Sequence, residues 1–331
     1  MPTILLTHTP DMLANYYGER ALAALRKLAP VKLNETGRVL DAQALAQAAR
    51  GCEIVVSDRQ TRGPAEFFPA APDLVAFLRV AVDIRNIDLA AASAHGVLVT
   101  HATPGFVASV AEMAIGYMVD CARHVTASVL DYRSGQDAEP RMGRQLKGAT
   151  LGIMGYGAIG EYLAPLGVAL GMDVLVADPF KTVTASGVRQ VALPDLLAQS
   201  DYVVCLVVAN EETENLMNAA AFARMKTTAF FINLSRGNLV DEQALAVALD
   251  KKQIAGAALD VGRAADQKPS LSLAKRADVI ATPHTAGLTP EAAEHQAFDT
   301  VHQVTDLLAG RIPAGAANAQ AAHRLARLKR A

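Results

Sequence analysis

The chain has 331 residues, with 31 Lys and Arg against 33 Asp and Glu and a formal net charge of −2. At roughly 100–200 residues per domain this length implies two domains, and the near balance of charge argues against a chain built to coat nucleic acid or an anionic membrane. Apolar residues make up 51% and charged residues 19%, which fills a large core and excludes disorder. No apolar run approaches the ~18 residues of a membrane span, and the N-terminus MPTILLTHTPDM lacks the basic start of a secretory signal. Three scattered cysteines (Cys52, Cys121, Cys205) without a CxxC suit a reducing, cytoplasmic setting. The eight histidines do not pair with carboxylates at ligand spacing, so no metal site is expected.

In chain order, short β-branched runs predict strands over Thr3–Thr7, Glu53–Ser57, Val75–Val80 and Val97–Thr100. Helical spacing predicts helices over Gly18–Leu28, Ala42–Ala49 and Leu89–Ala94. A long helical segment, Val107–His124, leads toward the polar stretch Ser134–Gln145. Then come strands over Thr150–Met154, Asp173–Ala177, Tyr202–Val208, Phe230–Leu234, Ala255–Val261 and Asp278–Ala281, and a helix over Pro290–Ala309. Alternating strands and helices imply an α/β fold with parallel sheets covered on both faces. The six later strands match two mononucleotide-binding halves. The terminal RLARLKR reads as a solvated, frayed end.

Gly155-Tyr156-Gly157-Ala158-Ile159-Gly160 fits GxGxxG, directly after the strand LGIM and before a helical stretch. In that context the first Gly makes the tight turn, the second lets a pyrophosphate approach the backbone, and the third permits close helix–strand packing. The helix start favours phosphate charge. Asp178 closes the next strand 18 residues after Gly160, near the ~20 expected of a carboxylate that accepts ribose hydroxyls. That carboxylate repels a 2′-phosphate, so NAD is expected in preference to NADP, with Lys181 nearby acting against the choice.

Three further segments place polar residues just after strands: Asn233-Leu234-Ser235-Arg236-Gly237 with Val240-Asp241-Glu242, GAALDV ending in Asp260-Val261, and Thr282-Pro283-His284. With NIDLAAA (Asn86–Ala92), Val110-Ala111-Glu112 and SDYVV…EET (Ser200–Thr213), the chain resembles the D-isomer-specific 2-hydroxyacid dehydrogenases, including phosphoglycerate dehydrogenases and glyoxylate/hydroxypyruvate reductases. The resemblance runs from about Val55 to Gly310. It implies two doubly wound parallel-sheet domains, with a Rossmann NAD-binding domain (104–287) inserted in a flavodoxin-like substrate-binding domain (1–103 and 288–331). The hinge would lie near His101–Ser109 and Gly287–Glu291, and the long helix after Ala108 would help form a homodimer.

The activity so implied is NAD-dependent hydride transfer between nicotinamide and C2 of a small D-2-hydroxy or 2-oxo acid. His284 matches the family's acid/base and Arg236 its substrate arginine, with Asp260 matching the residue that orients the nicotinamide carboxamide. The cofactor set carried over also includes Val207, Thr213, Leu234, Ser235 and Gly287. A neutral-range histidine suits reversible proton transfer, and a guanidinium fork suits a carboxylate.

The sequence also departs from the family pattern. The Glu expected five residues after Asp260, which pairs with the catalytic His, is Ala265 here; Asp266 is the possible substitute. Without a partner carboxylate the His deprotonates more easily, and reduction fades at a lower pH than in Glu-bearing relatives. The substrate loop reads Arg79-Val80-Ala81-Val82-Asp83, with Ala81 and Asp83 where glycines are expected. Two readings of Arg79 stay open: it binds a substrate carboxylate or phosphate, or it pairs with Asp83. Leu206-Val207-Val208 stands where the family has His-x-Pro. These departures keep two alternatives in view: a catalytically weak, NAD(H)-responsive regulator, and a different oxidoreductase on the same scaffold.

Overall fold

The structure, a computed structural model, describes residues 1–264 and 266–330. The chain divides into two compact units, Met1–Phe106 with Thr289–Ala331, and Val107–Leu288.

The first unit is built on β1 (Ile4–Leu6), β2 (Val31–Leu33), β3 (Ile54–Ser57), β4 (Ala76–Arg79) and β5 (Leu98–Thr100). The five strands pair with one another in parallel, in the order β2-β1-β3-β4-β5, the flavodoxin-like winding. Side chains alternate between faces along each strand. Ile4, Leu6, Ile54 and Leu78 meet Leu22 and Leu25 of the helix Glu19–Leu28 and Val301 and Val304 of the helix Pro290–Leu308. Leu5, Val55 and Phe77 face the other way onto Leu45, Phe67 and Phe68, whose rings meet Phe77 edge-on at 5.8 and 6.2 Å. Truncating a fully buried Leu5 to Ala would cost about 2–5 kcal/mol. Helix starts follow local capping: the carboxylates of Asp41 and Asp88 accept the Ala44 and Ala91 N–H at 2.9 and 2.8 Å, and Thr289 with Pro290 opens the last long helix.

Two expectations for this unit are corrected. The edge strand β2 is absent from the sequence reading because Val31-Lys32-Leu33 is three residues long and only half-buried, too short for a periodic signal. The basic tail does not fray as a solvated end. Residues His323–Arg330 form a helical turn, and buried Arg324 donates from Nη1 to the carbonyls of Ala71 and Leu74 at 3.0 and 2.9 Å. Leu325 and Leu328 pack on the core, so the tail is an amphipathic clasp with its apolar face against the unit.

The second unit holds β6 (Thr150–Met154), β7 (Asp173–Ala177), β8 (Val188–Gln190), β9 (Tyr202–Cys205), β10 (Phe230–Asn233), β11 (Gly256–Leu259) and β12 (Val279–Ala281). They form one parallel sheet in the order β12-β11-β10-β9-β6-β7-β8, the Rossmann winding with one strand added. The expected six strands are therefore seven. The additional β8, Val-Arg-Gln, lies at the edge with two exposed positions and carries no apolar pattern. The expected strand Tyr202–Val208 ends at Cys205, and Val208 is exposed. The helix Val107–Arg123 turns at His124, whose φ is 57°, into a second helix, Val125–Arg133. Among the described residues, no helix is long and apolar enough to cross a membrane.

Candidate active site

Every residue assigned to the cofactor or to catalysis in the second unit follows the carboxyl end of a parallel strand, where doubly wound sheets bind ligands. The winding reverses between β6 and β9, and the glycine turn follows β6. Gly155 has φ +91°, and a Cβ there would stand 2.9 Å from the Leu206 carbonyl. A Cβ at Gly160 would stand 2.4 Å from the Gly155 carbonyl oxygen. At Gly157, which caps the helix Ala158–Ala169, a Cβ meets nothing within 4 Å. The turn is thus closed where strand and helix touch and open over the helix start. This fits a pyrophosphate drawn to unsatisfied N–H groups.

Asp178 follows β7 and knits to the same turn. Its Oδ2 accepts the Tyr156 N–H at 2.7 Å, and its Oδ1 accepts the Phe180 and Lys181 N–H at 2.8 and 3.0 Å. Partial burial works to raise its carboxyl. The three N–H donors and the Lys181 charge outweigh burial and hold the group below the usual carboxylate range. Lys181 itself ion-pairs with Glu161.

Asn233, at the end of β10, shapes the Arg236 turn. Its Oδ1 accepts the Ser235 N–H at 3.1 Å and its Nδ2 donates to the Arg236 carbonyl at 3.0 Å. The Ser235 hydroxyl donates to the Val207 carbonyl, and half-buried Arg236 donates from Nη1 to the Ser235 carbonyl at 2.7 Å. Leu234 is buried beneath this turn. Thr213 closes a capping box with Asn210 and donates to the Val208 carbonyl at 2.9 Å.

Asp260, after β11, is 1% exposed, and its carboxylate holds the segment after β12. Oδ1 accepts the Thr282 hydroxyl and the Thr285 N–H at 2.8 Å, and Oδ2 accepts the Ala286 N–H at 2.9 Å. Between those anchors half-buried His284 takes φ +59°, a left-handed conformation costing about 1–2 kcal/mol for a residue with a Cβ. Gly287 follows the anchored segment. Arg236, Asp260 and His284 thus follow three adjacent strands, β10, β11 and β12.

Other residues important to this arrangement were not singled out by sequence reasoning. Arg263 donates to the carbonyls of Val240 and Asn238 at 2.9 and 3.0 Å and ion-pairs with Glu214 at 2.8 Å. It ties the segment after Asp260 to the turn after Arg236. Tyr117 hydrogen-bonds Thr282 at 2.5 Å across 165 residues, a separation no local signal spans. Ala265 lies outside the described residues. The exposed Asp266 carboxylate accepts the Lys268 N–H at 3.2 Å and ion-pairs with its ammonium at 3.2 Å. Among the described residues no cluster of His, Cys, Asp or Glu suits a metal.

In the first unit Arg79 finds its hydrogen-bond partners within the protein. Its side chain is fully buried. It donates to the carbonyls of Asp58 and Thr61 and to Asn86 Oδ1. Asp83 ion-pairs with Arg85 at 2.6 Å, and its charge also acts on Arg79. These bonds tie the end of β4 to the Asp58–Thr61 turn after β3 and to Asn86. Val80 and Ala81 are buried beside Arg79, and Val82 is 37% exposed.

A family model described as D-isomer specific 2-hydroxyacid dehydrogenase, NAD binding domain, matches residues 115–286. The chain is 35% identical over 243 residues to D-3-phosphoglycerate dehydrogenase of Synechocystis sp., covering 72% of this chain and 44% of that protein's length. It is 30% identical over 277 residues to hydroxypyruvate reductase of Thermotoga maritima, covering 82% of this chain and 90% of that one. Among solved structures, D-lactate dehydrogenase from Escherichia coli superposes with a TM-score of 0.78 at 25% identity, over 96% of this chain and 100% of the other. The chain belongs to the D-isomer specific 2-hydroxyacid dehydrogenase family.

Proposed function

We propose that the protein is an NAD(H)-dependent oxidoreductase (EC 1.1.1.-) interconverting a small 2-oxo acid and its D-2-hydroxy acid. The observation that carries this reading is the placement of Arg236, Asp260 and His284 after three adjacent strands of a sheet that also bears the glycine turn. The relatives named hydroxypyruvate reductase and phosphoglycerate dehydrogenase support the substrate class. When bound, NAD(H) supplies or accepts the hydride at substrate C2.

The chain's own residues do the rest. The Arg236 guanidinium binds the substrate carboxylate and stabilises negative charge developing on the C2 oxygen. His284 gives that oxygen a proton in reduction and takes it back in oxidation. Gly155, Gly157, Ala158, Ile159 and Gly160 cradle the pyrophosphate, and Val207, Thr213, Leu234, Ser235 and Gly287 line the cofactor. Asp178 makes NAD the preferred form over NADP. A carboxylate has about four lone-pair directions, three of which take backbone N–H groups here. The remaining direction suits a ribose hydroxyl, and the charge disfavours a phosphate. Engagement of Asp266 with Lys268 speaks against Asp266 as the substitute for the family's Glu.

A second copy of the chain fits the exposed apolar side chains Val119, Val125, Val129 and Leu130, which supports a homodimer. Three buried free thiols fit a reducing compartment such as the cytoplasm.

The test is NADH consumption against glyoxylate, hydroxypyruvate, pyruvate, phenylpyruvate and 2-oxoglutarate. Turnover of at least one acid is expected, falling by about 10²–10⁴-fold in His284→Ala and sharply in Arg236→Ala while NADH still binds. Undiminished turnover in either variant removes that residue from the mechanism.

A further inference from the structure

We propose that Tyr117 is a positioning residue for the acid/base loop. Its phenol hydroxyl donates to Thr282 Oγ, and Thr282 in turn braces the Asp260 carboxylate that pins the backbone beside His284. The proposal rests on the reading of His284 as the acid/base.

The direction of the relay follows from proton counting. The Thr282 hydroxyl has one proton, and it goes to Asp260 Oδ1. The 2.5 Å contact between Thr282 Oγ and Tyr117 Oη must then use the tyrosine proton, with Thr282 accepting. Burial pushes the Tyr117 phenol well above its usual range, outweighing the bond to Thr282, so the donor keeps its proton.

Asp260 Oδ1 receives the Thr282 hydroxyl on one side of His284 and the Thr285 N–H on the other, while Oδ2 receives the Ala286 N–H. The relay therefore ends on both flanks of a histidine held at φ +59°. Such a conformation persists only where its surroundings over-determine it. Tyr117 itself sits on the buried stripe Val110, Ala111, Ala114, Tyr117, Met118 and Cys121 of the helix Val107–Arg123. Every other member of that stripe is apolar or a thiol. A phenylalanine fills the same place in such a stripe, and the hydroxyl is what the relay requires.

The experiment compares Tyr117→Phe, Thr282→Val, Thr282→Ser and the double variant Tyr117→Phe/Thr282→Val with the full-length parent. Two readouts are used: amide exchange at Thr285 and Ala286, and kcat and KM with NADH and hydroxypyruvate as the probe acid. Loss of one buried hydrogen bond corresponds to about fivefold. In Tyr117→Phe both amides are expected to exchange about fivefold faster, with kcat down about fivefold and KM and NADH binding unchanged. Thr282→Ser restores both readouts to the parent values, and Thr282→Val loses at least as much as Tyr117→Phe. In the double variant, adding Tyr117→Phe costs nothing further, because the phenol has lost its acceptor.

Unchanged exchange in Tyr117→Phe, unchanged kcat despite faster exchange, or fully additive losses in the double variant each overturn the assignment. His284→Ala is run alongside. If that variant keeps full turnover, the acid/base reading fails, and the amide exchange still decides whether the relay holds the loop.

Discussion

The guanidinium of Arg79 is fastened to the side chain of Asn86: Nη2 donates to Asn86 Oδ1 at 2.6 Å, with the arginine fully buried. The same nitrogen donates to the Thr61 carbonyl at 2.9 Å, and Nη1 donates to the Asp58 carbonyl. Burial lowers the Arg79 pKa to about 10 against the opposing pull of the Asp58 and Asp83 charges. At neutral pH it remains a cation, its guanidinium fork held at Nη1 and Nη2 by these three acceptors.

Replacing that fork with a point charge has a defined outcome. Arg79→Lys keeps the charge and leaves buried carbonyls without donors, so urea unfolding should show a loss of about 2–4 kcal/mol. KM for the 2-oxo acid, measured on the folded fraction, should stay within about twofold, inside the scatter of the weakest single hydrogen bond. A tenfold rise in KM without loss of stability would instead put Arg79 in contact with substrate.

Asp178 is bound to its own turn through the Tyr156 N–H at 2.7 Å, which fixes where its charge sits. Asp178→Ala should weaken NADH binding by about tenfold, the size expected of a lost charged hydrogen bond, and leave NADPH binding nearly unchanged. Titration of each dinucleotide by fluorescence checks this, with the melting temperature as control. Equal loss for both removes the ribose assignment. Because its carboxyl is held below the usual range, Asp178 stays ionised through pH 5–8 and adds no pH dependence to NADH binding there.

His8 gives stability a pH dependence of determined sign. It is 3% exposed, and burial lowers its pKa from 6.5 to about 4, with the Asp58 charge opposing and the Arg79 charge assisting. Between pH 6.5 and 4 the unfolded chain binds a proton at this residue that the folded chain does not. Stability therefore falls as pH drops through that window, by on the order of 3 kcal/mol for this group. The urea midpoint should decline between pH 7 and 4.5 in the parent and decline less in His8→Gln. An equal decline in both would assign the effect elsewhere.

How far the sequence could be read depended on the range of the interaction. Strands such as Thr150–Met154 and Asp173–Ala177 were legible to the residue because they are buried, β-branched runs bounded by turn residues. Val31–Leu33 and Val188–Gln190 were not. They are three-residue edge strands made by pairing with a neighbour, too short for their own residues to show a period. The RLARLKR tail misled for a similar reason. Its charges suggest solvent, yet Arg324 is drawn onto the carbonyls of Ala71 and Leu74, some 250 residues away.

The amino-acid sequence by itself determined the chemistry that acts over short separations. Glycines at 155, 157 and 160 shape a turn before a helix, a carboxylate ends the next strand, and Arg236, Asp260 and His284 each follow a strand. Local backbone geometry and strand–helix alternation dictate those features. Only the tertiary structure decided what each polar group is bonded to. It turned Arg79 inward onto Asn86, set Asp260 on both flanks of His284, and brought Tyr117 to Thr282. A buried polar group must find a partner or bear the full cost of desolvation, and which partner lies within reach is settled by packing between residues far apart in the chain.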